Sequence, residues 1–265
     1  MHKPLPKMMT ILIPILCLLP LSAGAETPEE KGLAIAQEAD RRDEGFGDFT
    51  SNLEMILKNK QGEESRRAIR INTLEVQTDG DKGLSIFDEP ADVKGTTMLT
   101  FSHKADDDDQ WLYLPALKRV KRIASSNKSG AFMGSEFAFE DIGSQEVEKY
   151  TYKYLRDENY QGMPCFVMER YPVSKNSGYK RQQVWIDQAE YRALKIDFYD
   201  RKDSLLKTLS ADSFEKHLNK YWRPGQMVMI NHQTAKQTLL KWTNYKFHAG
   251  LKESDFNQEA LARAR

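Results

Sequence analysis

The sequence predicts a mainly β protein: a curved antiparallel sheet or barrel of about ten strands in meander order, preceded by one helix. Three observations predict it. Apolar and polar residues alternate through most of the chain after residue 50. Turn-forming clusters such as NKQGE, TDGDKG, ENYQGMP and DRKDS separate the alternating runs at hairpin-like intervals. Strong helix signals are confined to the stretch before the first strand. No fixed-period repeat and no low-complexity linker divides the chain.

Residues 1–25 read as a secretory signal. Lys3 and Lys7 form the positive start, MMTILIPILCLLPL is the apolar stretch, and Ala23 to Ala25 supply small residues for cleavage before Glu26. The stretch is proline-interrupted and shorter than the ~20 apolar residues of a membrane span. The expected mature chain, residues 26–265, is one domain, since a single β-rich core can organise that length. Removing Lys3 and Lys7 from the 39 basic residues leaves 37 against 39 acidic ones, a net charge of −2. That balance argues against nucleic acid as a partner. Cys17 leaves with the signal, so Cys165 is the only cysteine expected and no internal disulfide can form.

The helix begins at TPEEKG, where Thr27 can cap, Pro28 suits the first turn, and Glu29 and Glu30 meet the positive end of the helix dipole; Gly45 stops it. Leu33, Ala36 and Ala39 form a narrow apolar stripe suited to lying on a sheet. Period-two runs follow. NLEMILK places Leu53, Met55 and Leu57 together, and RAIRIN sets Ile69 and Ile71 against Arg70 and Asn72. GLSIF pairs Leu84 with Ile86, TMLTF pairs Leu99 with Phe101, and LKIDFYD aligns Leu194, Ile196 and Phe198. QWLYLP is apolar on both sides, with Trp111 and Tyr113 opposite Leu112 and Leu114, which marks a covered strand. Alternation shows that each local set shares a face and leaves open which face is concave.

Two stretches break the pattern. PADVKGT suits a short helical turn, and Ser129 to Ser144 is a glycine-bounded segment carrying Phe132, Phe137 and Phe139. Those rings suit either a flap over an apolar pocket or core filling beneath a loop. A helical flap would place Phe132, Glu136 and Phe139 on one side.

Catalytic and metal motifs are missing from the sequence. His103, His217, His232 and His248 have no metal-ligand spacing, and no G-x-S-x-G elbow, phosphate loop or dinucleotide fingerprint occurs. No catalytic residue, metal or cofactor is therefore predicted. Asp106 to Asp109 lack the glycine and closing glutamate of a calcium loop and read as a solvated hairpin tip. In Lys118, Arg119, Lys121 and Arg122 the charges divide between two faces, which suits a docking edge or transient membrane-surface contact with anionic headgroups. Met55, Met168, Met227 and Met229 lie in alternating runs, where flexible thioethers suit a wall that adapts to its guest.

The ordered string GFGDFTSNLEMILKN, PADVKGTTMLTF, DQWLYLPALKRVKRIASSNKSGAFMGSEFAFEDI, KRQQVWID, LKIDFYDR, YWRPGQMVMINHQTAKQTLL and GLKESDF resembles the LolA-like outer membrane lipoprotein-sorting proteins. The likeness is to the longer branch found beside inner-membrane transporters of the RND or MMPL type, and it covers nearly all of the mature chain. It implies a half-open antiparallel β-barrel with an N-terminal helix and short lid helices, which carries acyl chains of lipoproteins or related lipids through the periplasm and is not an enzyme. A non-enzymatic adaptor subunit of a transporter and a lipid-modifying hydrolase are the alternatives. The wall residues expected to bind lipid are Met55, Leu57, Ile69, Ile71, Leu84, Ile86, Leu99, Phe101, Trp111, Tyr113, Leu194, Ile196 and Phe198, with Phe132, Phe137 and Phe139 on the flap. N-terminal sequencing of the exported protein should start at Glu26; an intact MHKPL start on membrane-bound material would contradict the signal assignment.

Overall fold

In the computed structural model the alternating runs become β1 (Asp48–Lys58), β2 (Glu64–Leu74), β3 (Lys82–Glu89), β4 (Thr97–Phe101), β5 (Asp109–Leu114), β6 (Arg119–Ile123), β7 (Tyr150–Tyr160), β8 (Met163–Pro172), β9 (Tyr179–Asp187), β10 (Ala193–Asp200), β11 (Leu205–Asp212), β14 (Gln226–Asn231) and β15 (Gln237–Phe247). They form one sheet, and β12 (Glu215–His217) pairs with β13 (Tyr221–Arg223) in a separate two-stranded arm. The structure describes His2 and residues 25–263. The predicted signal, Cys17 included, otherwise lies outside the described residues.

All pairings are antiparallel, in the order β6-β5-β4-β3-β2-β1-β15-β14-β11-β10-β9-β8-β7. The chain thus makes two meanders joined where β1 meets β15, and its two edges, β6 and β7, are consecutive in sequence but do not pair. Register shifts between Thr50 and Asn52 on β1 and between Tyr154 and Arg156 on β7 bend the sheet, as bulges do. It is an open sheet with a concave face, in keeping with the curved sheet that the alternation predicts and the half-open barrel that the family resemblance implies.

Cross-strand register decides which residues share that concave face. Leu53 pairs with Ile69, and Ile69 pairs with Phe87, so Phe87 and not Ile86 continues the row. Ile35, Leu53, Met55, Ile69, Phe87, Met98, Leu112, Phe132, Phe137, Ile196, Phe198, Met229 and Leu240 belong to one buried cluster, with Leu57, Ile71 and Phe139 packed on it. Leu84, Ile86, Leu99 and Tyr113 form a second cluster with Phe256 and Leu261, and Phe101 and Trp111 pack against it. These six wall candidates therefore lie on the outer face, under the C-terminal α2 (Gln258–Arg263), which corrects the expectation that they line a cavity. Leu194 is also outside, with Cys165, Val167 and Trp185, because the register shift between Ala193 and Lys195 takes it off the face of Ile196.

Helix α1 (Pro28–Asp43) starts as predicted: Thr27 Oγ1 accepts from Glu30 N at 3.1 Å, and the Glu30 carboxylate accepts from Thr27 N at 2.8 Å. Its buried residues are Gly32, Ile35 and Ala36, whereas Leu33 is 40% exposed, so the stripe is turned from the predicted one. The cause is close approach to β7. A Cβ on Gly32 would stand 2.8 Å from Tyr154 N and 2.9 Å from Lys153 N.

Residues 124–149 connect the two sheet edges and run across the concave face as a plug. Instead of one lid helix they make short 3-10 turns at Ser125–Asn127, Phe132–Gly134, Phe139–Asp141 and Val147–Lys149. Phe132 and Phe137 are 3% and 4% exposed, so these rings are core as well as roof. Polar anchors hold the plug. Lys207, 3% exposed, donates from Nζ to the Glu136 carbonyl and to Asp141 Oδ2, both at 2.8 Å, and Tyr179 donates to Asp141 at 3.0 Å. Glu136 N donates to Thr238 Oγ1 at 2.9 Å, and Gln110 Nε2 to the Phe139 carbonyl at 2.9 Å.

The four aspartates are less solvated than the sequence suggests, since three of them take cationic partners. Asp107 accepts from Lys128 at 2.7 Å, Asp108 pairs with Lys149 and Asp109 with Arg122; only Asp106 is exposed. Lys128 and Lys149 belong to the plug, so the acidic run tethers both of its ends. Gly143 leaves room for this pairing, because a Cβ there would run into the Asp108 carboxylate and push it aside.

Two stability measurements follow. Lys207→Met leaves the buried Asp141 carboxylate without its cation and should cost about 3–5 kcal/mol in urea unfolding, and adding Asp141→Asn should restore more than half of the loss. Independent single-variant losses would contradict a coupled anchor. Asp81, before β3, is pushed up from 3.8 to about 7 by burial and by repulsion from Glu146, Glu75 and Asp43, against the lowering hydrogen bond from Val76 N. Folding favours its protonated form, so stability should fall as pH rises from about 4 to about 7. Asp81→Asn should raise the melting temperature at pH 8 by a few degrees and match the parent below pH 4; equal curves at both pH values would contradict this.

Candidate functional site

A cavity of about 440 Å³ lies between the β1–β15 seam and the plug. That volume is within the ~300–1,000 Å³ range of small-molecule pockets. Its wall follows from register: Met55 stands opposite Leu240, which stands opposite Met227, and Leu53 stands opposite Trp242. Ile69 and Ile71 from β2 continue the wall, while Phe132, Phe137 and Ile142 of the plug close the other side.

One end is aromatic and polar. Phe46, Phe49, Trp222 and Arg223 border it with Asp43 and Asp81. Phe46 and Phe49 pack at 5.6 Å between ring centroids, and the Arg223 guanidinium lies 5.2 Å from the Phe46 centroid while bonding Asp43 at 2.5 Å. Paired charge and tilted, closely packed rings let this end meet water without exposing the apolar wall. At the far end of the strands Leu57, Ser65, Gly134, Glu136 and Thr238 border a separate smaller cleft.

The predicted residues divide accordingly. Met55, Ile69, Ile71, Phe132 and Phe137 meet at the cavity, and Leu57 borders the smaller cleft. Leu84 touches the cavity margin between Gly83 and Ser85, but its side chain packs in the outer cluster. Phe139 packs edge-to-face against Phe132 at 5.9 Å between ring centroids, and Ile196 and Phe198 lie in the same inner core away from the cavity. Ile86, Leu99, Phe101, Trp111, Tyr113 and Leu194 are not brought to it. The sequence reading missed Leu240 and Trp242, although TLLKW alternates, and missed the aromatic rim, whose members come from the turn before β1, the start of β1 and the short β13, where no alternating run is long enough to show a face. Among the described residues no group of three or more His, Cys, Asp or Glu could hold a metal ion. An apolar wall with charge at its margin can solvate a hydrocarbon chain.

Comparison with known proteins places the architecture. A family model described as "Uncharacterized protein" matches residues 79–263. No curated protein matches the chain. Among solved structures, a domain assigned to outer membrane lipoprotein sorting from Vibrio parahaemolyticus is 57% identical, with a TM-score of 0.88 over 89% of this chain and 100% of that one. A DUF1329 family protein from Desulfovibrio piger is 32% identical, with a TM-score of 0.84 over 89% of this chain and 99% of that one. A LolA superfamily protein from Nitrosomonas europaea shares the fold at 19% identity, with a TM-score of 0.70 over 86% of this chain and 98% of that one. At 57% identity over 89% of its length, the chain belongs to the outer membrane lipoprotein-sorting family of the Vibrio domain, and it shares its fold with the LolA superfamily protein.

Proposed function

We propose that the chain is a periplasmic carrier that takes the acyl chains of lipoproteins or related lipids into the cavity under the plug. The mature part is a single domain, residues 26–265, and it exchanges cargo with an inner-membrane transporter of the RND or MMPL type. The observation that carries this reading is the apolar cavity on the β1–β15 seam, roofed by a segment held through polar anchors. Burying one methylene is worth about 0.8 kcal/mol, so an acyl chain of about fourteen carbons needs on the order of 10 kcal/mol of compensating burial to leave a bilayer. Met55 and Met227, on opposite sides of Leu240 in the wall, suit guests of varied length.

The plug is the natural gate. It replaces a continuous ladder with hydrogen bonds and ion pairs, which water can replace one at a time. The exposed edge of β6, with Lys118, Arg119, Lys121 and Arg122 beside an exposed Leu117, supplies a place for transient contact with anionic headgroups.

Native mass spectrometry of protein extracted without detergent should show stoichiometric lipid. Lipid-free protein that also ignores a fluorescent fatty acid would favour the adaptor reading, in which side chains alone fill the interior. Met227→Trp, which fills the cavity beside Leu240, should displace about two methylenes of guest and weaken binding of that probe by roughly tenfold, with the unfolding midpoint little changed. Unaltered probe affinity in this variant would place the guest elsewhere.

A further inference from the structure

Arg67 of β2 stands on the concave face, in the row that forms the cavity wall. It is paired across the sheet with Met55, which is paired in turn with Leu240 and then Met227. Its neighbours two residues away on the same face are Ile69, on the cavity wall, and Ser65, on the smaller cleft. By register Arg67 therefore lies along β2 between the wall residue Ile69 and the cleft residue Ser65, at the end of the apolar row, and is itself in the lining of neither cavity.

The guanidinium is unpartnered. Its Nε and Nη1 are buried, and no protein group accepts a hydrogen bond from either. The adjacent arginines on the outer face are paired with carboxylates: Arg66 bonds Glu54 at 2.8 Å and Glu64 at 2.9 Å, and Arg70 bonds Asp88 through two nitrogens at 2.8 and 2.9 Å. Glu136, the acidic residue on the smaller cleft that comes from the plug, accepts at Oε2 from Asn231 Nδ2 at 2.7 Å. A buried donor without an acceptor is costly, and an apolar side chain would complete this wall at no such cost. The planar fork of a guanidinium matches a carboxylate or phosphate through two parallel hydrogen bonds.

We infer that Arg67 is an anion hook: it binds the anionic oxygen head group, carboxylate or phosphate, of an acyl cargo whose chain lies along Met55, Ile69 and Leu240. The head group sits on the Arg67 side of the row, toward the smaller cleft, whose lining carries Lys58 and Lys236 as well as Glu63, Glu64 and Glu136, and the tail points to the aromatic end at Phe46 and Phe49. This inference rests on the carrier reading and adds the class of head group and the direction of the chain.

The test is displacement of neutral N-phenylnaphthylamine from the mature protein by dodecanoate, methyl dodecanoate, dodecyl phosphate and inorganic phosphate. An anionic amphiphile should bind roughly ten- to hundredfold more tightly than the methyl ester, although the ester is the more apolar molecule. Whichever of dodecanoate and dodecyl phosphate binds better identifies the head group. Arg67→Gln should bring the anion to the level of the ester and leave the ester unchanged, and Arg67→Lys should keep part of the preference. Equal binding of acids and ester to the unaltered protein overturns the hook and leaves the carrier reading standing, and it does so even if the variants fail to fold. Inorganic phosphate binding as tightly as dodecyl phosphate makes this a free-anion site and overturns the head-group assignment. Failure of the neutral probe and of every amphiphile to bind removes the carrier reading, and the hook with it.

Discussion

The pairing of β1 with β15 holds the two halves of the molecule together. Each meander has an apolar face that it cannot cover alone, and this seam, between residues nearly 200 positions apart, joins those faces into one concave surface. The cavity lies on it because the seam brings Leu53 and Met55 opposite Trp242 and Leu240. The edges of the same sheet stay apart, and the chain between them becomes the plug. Fold and site are thus consequences of one long-range ladder.

An open sheet with an apolar concave face has to be covered without being filled. Here the cover is attached by polar anchors as well as by the packing of Phe132 and Phe137 in the inner core. Lys207, Asp141 and Tyr179 hold its centre, and Asp107 and Asp108 hold Lys128 and Lys149 near its ends. Buried charge pairs of this kind add little net stability compared with apolar packing but penalise any position in which a partner is left unpaired. The plug is therefore specified in place, while the surface under it remains apolar. Arg67 stands apart from this scheme because two nitrogens of its guanidinium are buried without a partner. A carrier needs little geometric precision along a hydrocarbon tail, and one fixed charge is enough to orient an amphiphile.

Much of this was legible in the sequence wherever the cause is local. The capping box at Thr27 and Glu30 set the start of α1, and the pleat placed Met55 with Leu57 and Ile69 with Ile71. The resemblance identified from the long middle segment led to the same family as the structural comparison. Local patterning also misled. QWLYLP is apolar on both sides as read, but its Trp111 and Tyr113 serve the outer core under α2, and Leu112 serves the inner one.

By itself the sequence determined the period of each strand, the start of the helix and the lack of catalytic motifs, because these depend on residues a few positions apart. Only the tertiary structure decided which face is concave, since alternation carries no phase from one strand to the next. The phase is set by pairings such as Ile69 with Phe87 and by the shift beside Leu194. The same holds for polar partners. Glu136 finds Thr238 and Asp107 finds Asn176 across 102 and 69 residues, and these distant contacts turn an acidic run and a glycine-rich loop into anchor and roof. No short-range pattern encodes them, because the energy that selects each one is released only when the whole sheet has curved.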